Sequence, residues 1–460
     1  MARPIWYADR VDSGASAGSV IVCTETGEIT THPDARAFAE SCKADRPLIW
    51  TDGTALQAEI AEIAIIDGAD LDVLLGRGTG IAMTLRAVIW DKCTLADRSL
   101  LIPDGALPAI ATDIGAPPMP GTSGSLFESE ARIAILSGSM LHWRERIHLC
   151  GLDAKLSIGA TAAGVVPRTW RRAAWKLQRG DPWSWIRGAY YGGRVECYRP
   201  GWRGDAIEYD LKSAYGWSLS RPIPDWKAYD RGWRTVQDPE WLEATVEVHG
   251  SPGPLPVRDP ATWRLSWPTD GILRGTWTRL ELEQDDVTIR RVHRRIAGRW
   301  SGDLQPAVNG WLERRETTDS VADRRLMRLL CCSLAGKLCQ HPVTWTLWRA
   351  HTEPPANAVP LALDRAVFAV PSVPLRLPFS CPQAGSWITA RVRHRVRPAL
   401  KHPAVIYTDT DSCHLPADAV PHFSTGNRPG DWSAKVRGRG AYRGIRQYQI
   451  GAKVVGSQRP

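Results

Sequence analysis

The stretch AVIYTDTDSCHL, residues 404–415, sets two aspartates one residue apart at the end of an apolar run. Residues i and i+2 of a strand share a face, so Asp409 and Asp411 are expected to point the same way. Two carboxylates that close raise each other's pKa unless a cation neutralises them. A lone TDTD reads first as a polar turn, because Asp and Thr are common there. A second acid of the same character shifts that balance. In AIEYDLKSAYGWSL, Asp210 ends a strand-like run and is followed by Ser213 and Tyr215. Hard cations such as Mg²⁺ take oxygen ligands, often one or two carboxylates plus substrate phosphates. Two such ions about 3.5–4 Å apart can stabilise both the attacking and the leaving oxygens of an in-line phosphoryl displacement. Carboxylates from remote segments, brought together on neighbouring strands, suit that chemistry.

The elements that must position these acids read as α/β and α+β, in a chain long enough for two to four domains. Over residues 1–150, strand-like runs at 18–23, 48–50 and 86–90 alternate with helical patterns such as LFESEARIAILSGSMLHW. Residues 151–195 are basic, aromatic and punctuated by Pro and Gly, which suits a connector. From 196 onward, strands (AIEYDLKSAY, LEATVEVHG) precede one long helical stretch over 304–339, with apolar residues at helical spacing through Leu326, Leu329, Leu330 and Leu334. A further helix, SWITARVRHRVRPAL, is expected to stop near Pro398 and feed the aspartate hairpin.

Net charge is +9, with Arg far more common than Lys, which fits either a basic solvated surface or a partner carrying phosphates. The ten cysteines form no C-x-x-C pair and are read as free thiols without a structural metal. No apolar run approaches twenty residues, so no membrane span is expected. The start, MARPIWYADR, lacks a signal peptide's apolar core, and a cytoplasmic place in a bacterial host cell is expected.

YDLKSAYG and YTDTDS resemble motifs A and C of family B DNA polymerases, of the forms D-x-x-S-L-Y-P and Y-x-D-T-D-S. Gly216 stands in place of the motif A proline. RLLCCSLAGKL is similar to motif B, K-x-x-x-N-S-x-Y-G, with Arg328 on its Lys, Ser333 on Ser and Gly336 on Gly; Cys332 replaces Asn and Ala335 replaces Tyr. AYYGGRVECYRPG resembles the Y-x-G-G segment of protein-primed members, SWITARVR their helix before motif C, and IRQY their K-x-Y motif. The matches follow the family's order across most of residues 189–450.

The resemblance implies a right-hand palm (about 196–300 and 385–460) and fingers (about 305–345), with a thumb reduced or absent because few residues follow motif C. Residues 342–385 lie where the subgroup's second insert would be. Asp210, Asp409 and Asp411 would hold two Mg²⁺ ions, or Mn²⁺ in their place. Leu211, Tyr215, Arg328, Ser333 and Gly336 would meet the deoxynucleoside triphosphate, Tyr215 as a steric gate against a ribose 2′-hydroxyl. Tyr190, Gly192, Gly193, Lys337, Arg446 and Tyr448 would contact template or primer DNA, and a terminal protein could act as primer. In the family the N-terminal domain, here 1–150, is a ribonuclease H-like 3′–5′ exonuclease with its own carboxylates. Its first motif, D-x-E, matches best at VIVCTETGE, which puts Cys23 on the Asp and keeps Glu25; a thiol is a poor ligand for a hard cation. Asp52 falls on the second motif's Asp, and Arg132 on the third's. Proofreading is therefore expected to be lost. Two readings stay open: a DNA-directed DNA polymerase of a virus or linear mobile element, and a catalytically impaired homologue that binds DNA or a replication partner.

Overall fold

The computed structural model describes residues 4–51, 56–57, 59–60, 63, 72–76, 84–90, 93–97, 102–103, 105–119, 126–155, 157–171, 186–225, 240–259, 264–340, 344–349, 359–361, 364–372 and 379–456. Asp52 lies outside them. The chain forms two compact units, one of residues 1–164, 314–330 and 342–375, the other of residues 165–313, 331–341 and 376–460. These differ from the expected boundaries in taking 151–164, 314–330 and 342–375 into the N-terminal unit.

In the first unit, the strands β1 (Ile5–Arg10), β2 (Val20–Thr24), β3 (Ile29–His32), β4 (Leu48–Thr51), β5 (Asp72–Gly76), β6 (Thr84–Trp90) and β7 (Cys93–Asp97) make one sheet, ordered β3–β2–β1–β4–β7–β6–β5. β4 runs parallel to β1 and to β7, while the remaining neighbours are antiparallel. Helix α1 (Ala35–Asp45) supplies the crossover from β3 to β4. It starts where the Asp34 carboxylate accepts the Ala37 N–H at 2.7 Å, a standard N-cap. Phe38, Ala39 and Cys42 of α1 then pack on Ala8, Val20, Val22 and Ile49. α2 (Leu107–Asp113) packs on α3 (Leu126–His148), which packs in turn on β1 and β2 and buries Ile133, Leu136, Met140 and Trp143. Alternation along β1 and β2 puts Tyr7, Asp9 and Cys23 on the sheet face away from the α1 core. Residues 344–372 add a separate antiparallel sheet of Thr344–Arg349, Asp364–Ser372 and Val359–Leu361.

The second unit is built on the strands β8 (Arg194–Cys197), β9 (Arg203–Leu211), β10 (Tyr407–Thr410), β11 (Ser412–Pro416), β12 (Trp432–Gly444), β13 (Gln447–Ile450) and β14 (Lys453–Val455). Their order is β14–β13–β12–β9–β11–β10–β8, with every neighbour antiparallel. Helix α4 (Ala214–Leu219) follows β9. The long helical stretch expected over 304–339 is two helices, α5 (Gln305–Thr317) and α6 (Val321–Leu338). The break has a local cause: the Ser320 hydroxyl accepts the Asp323 N–H at 2.9 Å and caps a new helix. Helix α7 (Pro382–Leu400) runs two residues beyond Pro398, where the earlier stop was expected. In the last turn the absent proline N–H removes a single intrahelical bond, and the Lys401 N–H closes the helix onto Arg397 and Pro398 carbonyls.

One face of this sheet, Ile207, Tyr209, Leu211, Cys413, Leu415 and Trp432, is packed under Val392, Val396, Ala399 and Leu400 of α7. The opposite face carries Ala206, Tyr407, Tyr442, Tyr448 and Ile450. The unit also holds a three-stranded sheet (Asp270–Thr278, Trp241–His249, Val287–Ile296) and two short two-stranded ones.

Candidate active site

Period-two alternation decides which face holds the acids. Leu211 and Tyr209 lie under α7, so Asp210 between them belongs to the opposite face. Asp210 pairs with Ser412 on β11 and with Ser433 on β12. Tyr407 pairs with His414 across β10 and β11, which sets Asp409 opposite Ser412. Hydrogen bonds agree: the Ser412 hydroxyl accepts the Asp409 N–H at 3.1 Å and donates to the Asp409 carbonyl at 3.2 Å. A single rung therefore reads Ser433, Asp210, Ser412, Asp409, Val195 across five strands. Asp210 and Asp409 share a face, two strand spacings or about 10 Å apart at Cα, with a small serine between them.

Asp411 reaches the same place by another route. The expectation that Asp409 and Asp411 share a strand face is corrected here, because a turn separates them. Thr410 sits at φ 62°, and the Asp411 N–H donates to the Asp409 carbonyl at 2.7 Å, closing a γ-turn. The Asp411 carbonyl then accepts the Leu211 N–H at 2.9 Å, tying the turn to the end of β9. A β-branched residue at positive φ is held against its preference, as happens where function over-determines a backbone.

The turn depends on the Y-x-G-G segment. A Cβ on Gly193 would lie 2.5 Å from Thr410 Cγ2 and 2.8 Å from its Cα, so only glycine lets the connector pass the tip. The segment is itself fixed by Arg393 of α7, whose guanidinium donates to the Tyr191 and Gly192 carbonyls at 2.5 and 3.0 Å and to Glu281 at 2.6 Å. Arg393 and Glu281 are both buried, 7% and 3% exposed, so this is an interior ion pair with its hydrogen bonds satisfied. Arg258 holds the Tyr190 carbonyl at 2.6 Å. The Tyr190 phenol is pushed upward in pKa, first by the neighbouring Cys339 and then by burial.

Beneath the acid rung, two residues further along the same face, lie Glu208, His414 and Tyr407. His414 is fully buried; its Nδ1 is 2.9 Å from the Tyr442 hydroxyl and its Nε2 3.4 Å from the Ser412 hydroxyl. Burial, and next the Lys453 charge, push its pKa down to about 3, so it is neutral at ordinary pH. Lys453 itself binds both Glu208 oxygens, at 2.6 and 2.8 Å. Tyr448 is 5% exposed and stacks on Tyr442, ring centroids 5.5 Å apart, so this predicted DNA contact is part of the floor. Arg446 is exposed at the β12–β13 tip, and its N–H donates to the Tyr407 hydroxyl at 2.9 Å. The C-terminal IRQY segment and the YTDTDS hairpin thus meet.

Tyr215 follows β9 through Ser213, a residue at φ 52°, and stands in the first turn of α4. Its phenol is raised to about 12 by burial, with Asp411 the first charge to add to the effect. At Gly216, a Cβ would meet Leu312 at 2.8 Å and Cys331 at 3.2 Å, which explains a glycine at the position where the resemblance puts proline. On α6, Arg328, Cys332 and Gly336 recur at i, i+4 and i+8 and are all exposed, flanked by half-buried Ser333 and Lys337. Lys337 lies over the Phe379 ring at 4.9 Å, and burial lowers its pKa. Ala335 is buried, off that stripe. Arg328 belongs to the first unit and the carboxylates to the second.

Among the described residues read as a degraded exonuclease site, Glu25 and Arg132 are held by different partners. Cys23 is buried on β2, and Glu25 accepts from Arg144 at 3.3 Å. Arg132 instead forms an ion pair with Asp9 of β1. Arg132 and Arg144 are twelve residues apart on α3, about 18 Å along its axis. Sequence reading missed Asp9, although an acid closing the run IWYA was a signal. It also missed Arg393, a charge on an otherwise apolar helical stripe, and His414, which had none.

Among the described residues, no group of three or more His, Cys, Asp or Glu could hold a metal ion unaided. A cation bound through two carboxylates and completed by substrate phosphates requires no such group. The donors present are carboxylate oxygens, the type that Mg²⁺ takes. No helix is long and apolar enough to cross a membrane among the described residues.

No family model matches the chain, and no curated protein matches it in sequence. Among solved structures it is similar to phi29 DNA polymerase in complex with primer-template DNA and incoming nucleotide substrates. That match has a TM-score of 0.70 at 15% identity and covers 100% of this chain and 90% of that one. The post-translocation binary complex of the same polymerase gives 0.70 at 15% identity, over 99% and 90%. Its complex with single-stranded DNA gives 0.67 at 15%, over 99% and 90%. At this identity the likeness establishes the fold: the chain has the fold of that polymerase from end to end.

Proposed function

We propose that the chain is a template-dependent DNA polymerase of the protein-primed family B kind, whose chemistry occurs at Asp210, Asp409 and Asp411. The observation that supports this reading is the rung Asp210–Ser412–Asp409, two remote acids on one face of one sheet, within a fold shared with a DNA polymerase. The oxygen of a primer 3′-hydroxyl, or of a priming protein's hydroxyl, bonds to the α-phosphorus of a deoxynucleoside triphosphate. The α–β anhydride bond breaks, pyrophosphate leaves, and the hydroxyl proton passes to solvent. Mg²⁺ held by Asp210 and Asp409 would supply Lewis acidity to the attacking and leaving oxygens. Asp411 sits beside them, the γ-turn at Thr410 fixing its spacing from Asp409 and the Leu211 N–H tying it to β9. Tyr215, raised in pKa and so a neutral phenol, lies under the incoming sugar. On α6, Arg328, Ser333 and Gly336 form the nucleotide-facing stripe, with a guanidinium suited to phosphate; the Leu211 side chain, expected there too, is buried beneath α7 on the other face of the sheet and is not part of it. Tyr190, Gly192, Gly193, Lys337, Arg446 and Tyr448 position template and primer, Tyr448 by supporting Tyr407 from below.

Residues 1–150 are read as the ribonuclease H-like, exonuclease-type domain of this architecture without proofreading. Its sheet mixes antiparallel neighbours with parallel ones around β4, and Arg132 already answers the buried Asp9. Residues 151–195 serve as the basic connector, and 196–460 as palm and fingers.

Primer extension with Mg²⁺ and deoxynucleotides tests this, comparing wild type with Asp409→Ala. Extension by the wild type and its loss in the variant are expected. A wild type that binds primer-template but never extends it, across salt and metal conditions, overturns the proposal in favour of a DNA-binding homologue. Degradation of a mismatched 3′ end would overturn the loss of proofreading.

A further inference from the structure

The sheet face turned away from the acids continues beyond the cover of α7. Register places Arg437 opposite Ile207, Arg439 opposite Asp205 and Ala441 opposite Arg203, all on the face of Tyr209 and Leu211. Ile207 is still buried, but Arg203, Asp205, Arg437 and Arg439 are exposed. Lys435 and Arg443, at the two bulges of β12, are exposed at either end of the row. Among the described residues none of these five cations has a side-chain hydrogen bond or ion pair. The one acid in this stretch of the β9–β12 register, Asp205, stands across from Arg439 and forms no ion pair among the described residues.

We propose that this back-face row, Arg203, Lys435, Arg437, Arg439 and Arg443, is a second nucleic-acid contact surface that binds the phosphate backbone of a strand without reading sequence. Three features select a polyanion backbone. Five positive charges meet one negative charge, so the local field strongly favours anions. Guanidinium groups predominate, and their planar fork matches phosphate oxygens. Arg437 and Arg439 repeat along the strand at about 6.8 Å, with Arg203 diagonal to Arg439 at about 7–8 Å, so the charges form a linear track. None of the five has an exposed aromatic beside it in the register of β9 and β12, which leaves no platform for stacking bases. The surface is on the opposite side of the sheet from Asp210 and Asp409. The strand it holds is therefore not the one being extended at the acids. This inference goes beyond the polymerase reading and does not need it, because binding is measured without synthesis.

The test measures fluorescence anisotropy of a labelled forty-nucleotide single strand, titrated from low to moderate salt. Arg203→Gln/Arg437→Gln/Arg439→Gln is compared with Arg290→Gln/Arg291→Gln/Arg295→Gln, a triple of equal charge change on another strand. Losing three phosphate contacts should reduce the slope of log affinity against log salt by about 2. The control triple should change it by much less. Equal loss in both triples would show a net-charge effect and overturn the proposal. An unchanged slope in the first triple would overturn it as well. Polyglutamate of matching charge should compete poorly; equal competition would assign the surface to an acidic protein instead. Thermal unfolding of each variant at the wild-type midpoint confirms that folding is intact, and single Arg437→Gln and Arg439→Gln variants serve if a triple does not fold.

Discussion

The two seven-stranded sheets treat a strand carboxylate in opposite ways. In the N-terminal sheet, Asp9 faces α3 and is met by the guanidinium of Arg132. In the C-terminal sheet, Asp409 stands at a hairpin end, bonded to the Thr410 hydroxyl, and makes no ion pair among the described residues. Both are acids at or near the end of a strand, preceded by apolar residues. A covering helix with a built-in cation makes the first a structural ion pair. A serine rung and a turn leave the second without a cation of the protein's own among the described residues.

The largest effect expected on this contrast comes from neutralising each acid. Asp409→Asn should reduce primer extension by about 10³-fold or more, the scale of losing electrostatic stabilisation at a reacting centre, while thermal unfolding stays within a degree or two. Arg132→Met should do the reverse in kind. It leaves Asp9 buried without its cation and should cost about 3–5 kcal/mol in the first unit, read by urea unfolding. If Arg132→Met were neutral in stability, the contrast between the two sheets would fail.

The next effect sharpens the C-terminal half. His414→Phe removes the neutral ring that joins Tyr442 to Ser412. It should lower kcat about tenfold with an unchanged KM for nucleotide, and His414→Asn should recover part of the loss. The stability profile supplies a second reading. A histidine whose native pKa is depressed takes up its proton only on unfolding. Stability therefore falls as pH is lowered from 6.5 towards about 3, and the phenylalanine variant should show a shallower fall. Smallest is Gly336→Ala. A Cβ there meets nothing within 4 Å, so the helix should gain up to about 1 kcal/mol. A measurable rise in nucleotide KM would mark this stripe of α6 as the nucleotide face.

Much of the C-terminal sheet was legible in the sequence because short strands with alternating burial leave a pattern, and because the acids sit at their ends. β9, β10 and the helix before the hairpin all appear where the residues suggested. What escaped depended on a third dimension. Two carboxylates at i and i+2 look like neighbours on one pleat, and only the φ of Thr410 shows that a turn intervenes. The α5–α6 break was hidden because its signal is one serine hydroxyl in an otherwise helical run. In the N-terminal sheet the apolar alternation was readable, but Asp9 escaped because an acid closing a strand-like run does not by itself show that a cation meets it. The Arg132 partner lies more than a hundred residues away, beyond any local pattern.

Since Asp210 owes its side of the sheet to parity along β9, the stretch from 203 to 210 should not accept the loss of a single residue. Dropping one codon there would swing the acid beneath α7 and bring a buried apolar neighbour out to the opposite face. Insertion and deletion scanning, rather than substitution, is the form of variation to which this part of the chain is least forgiving.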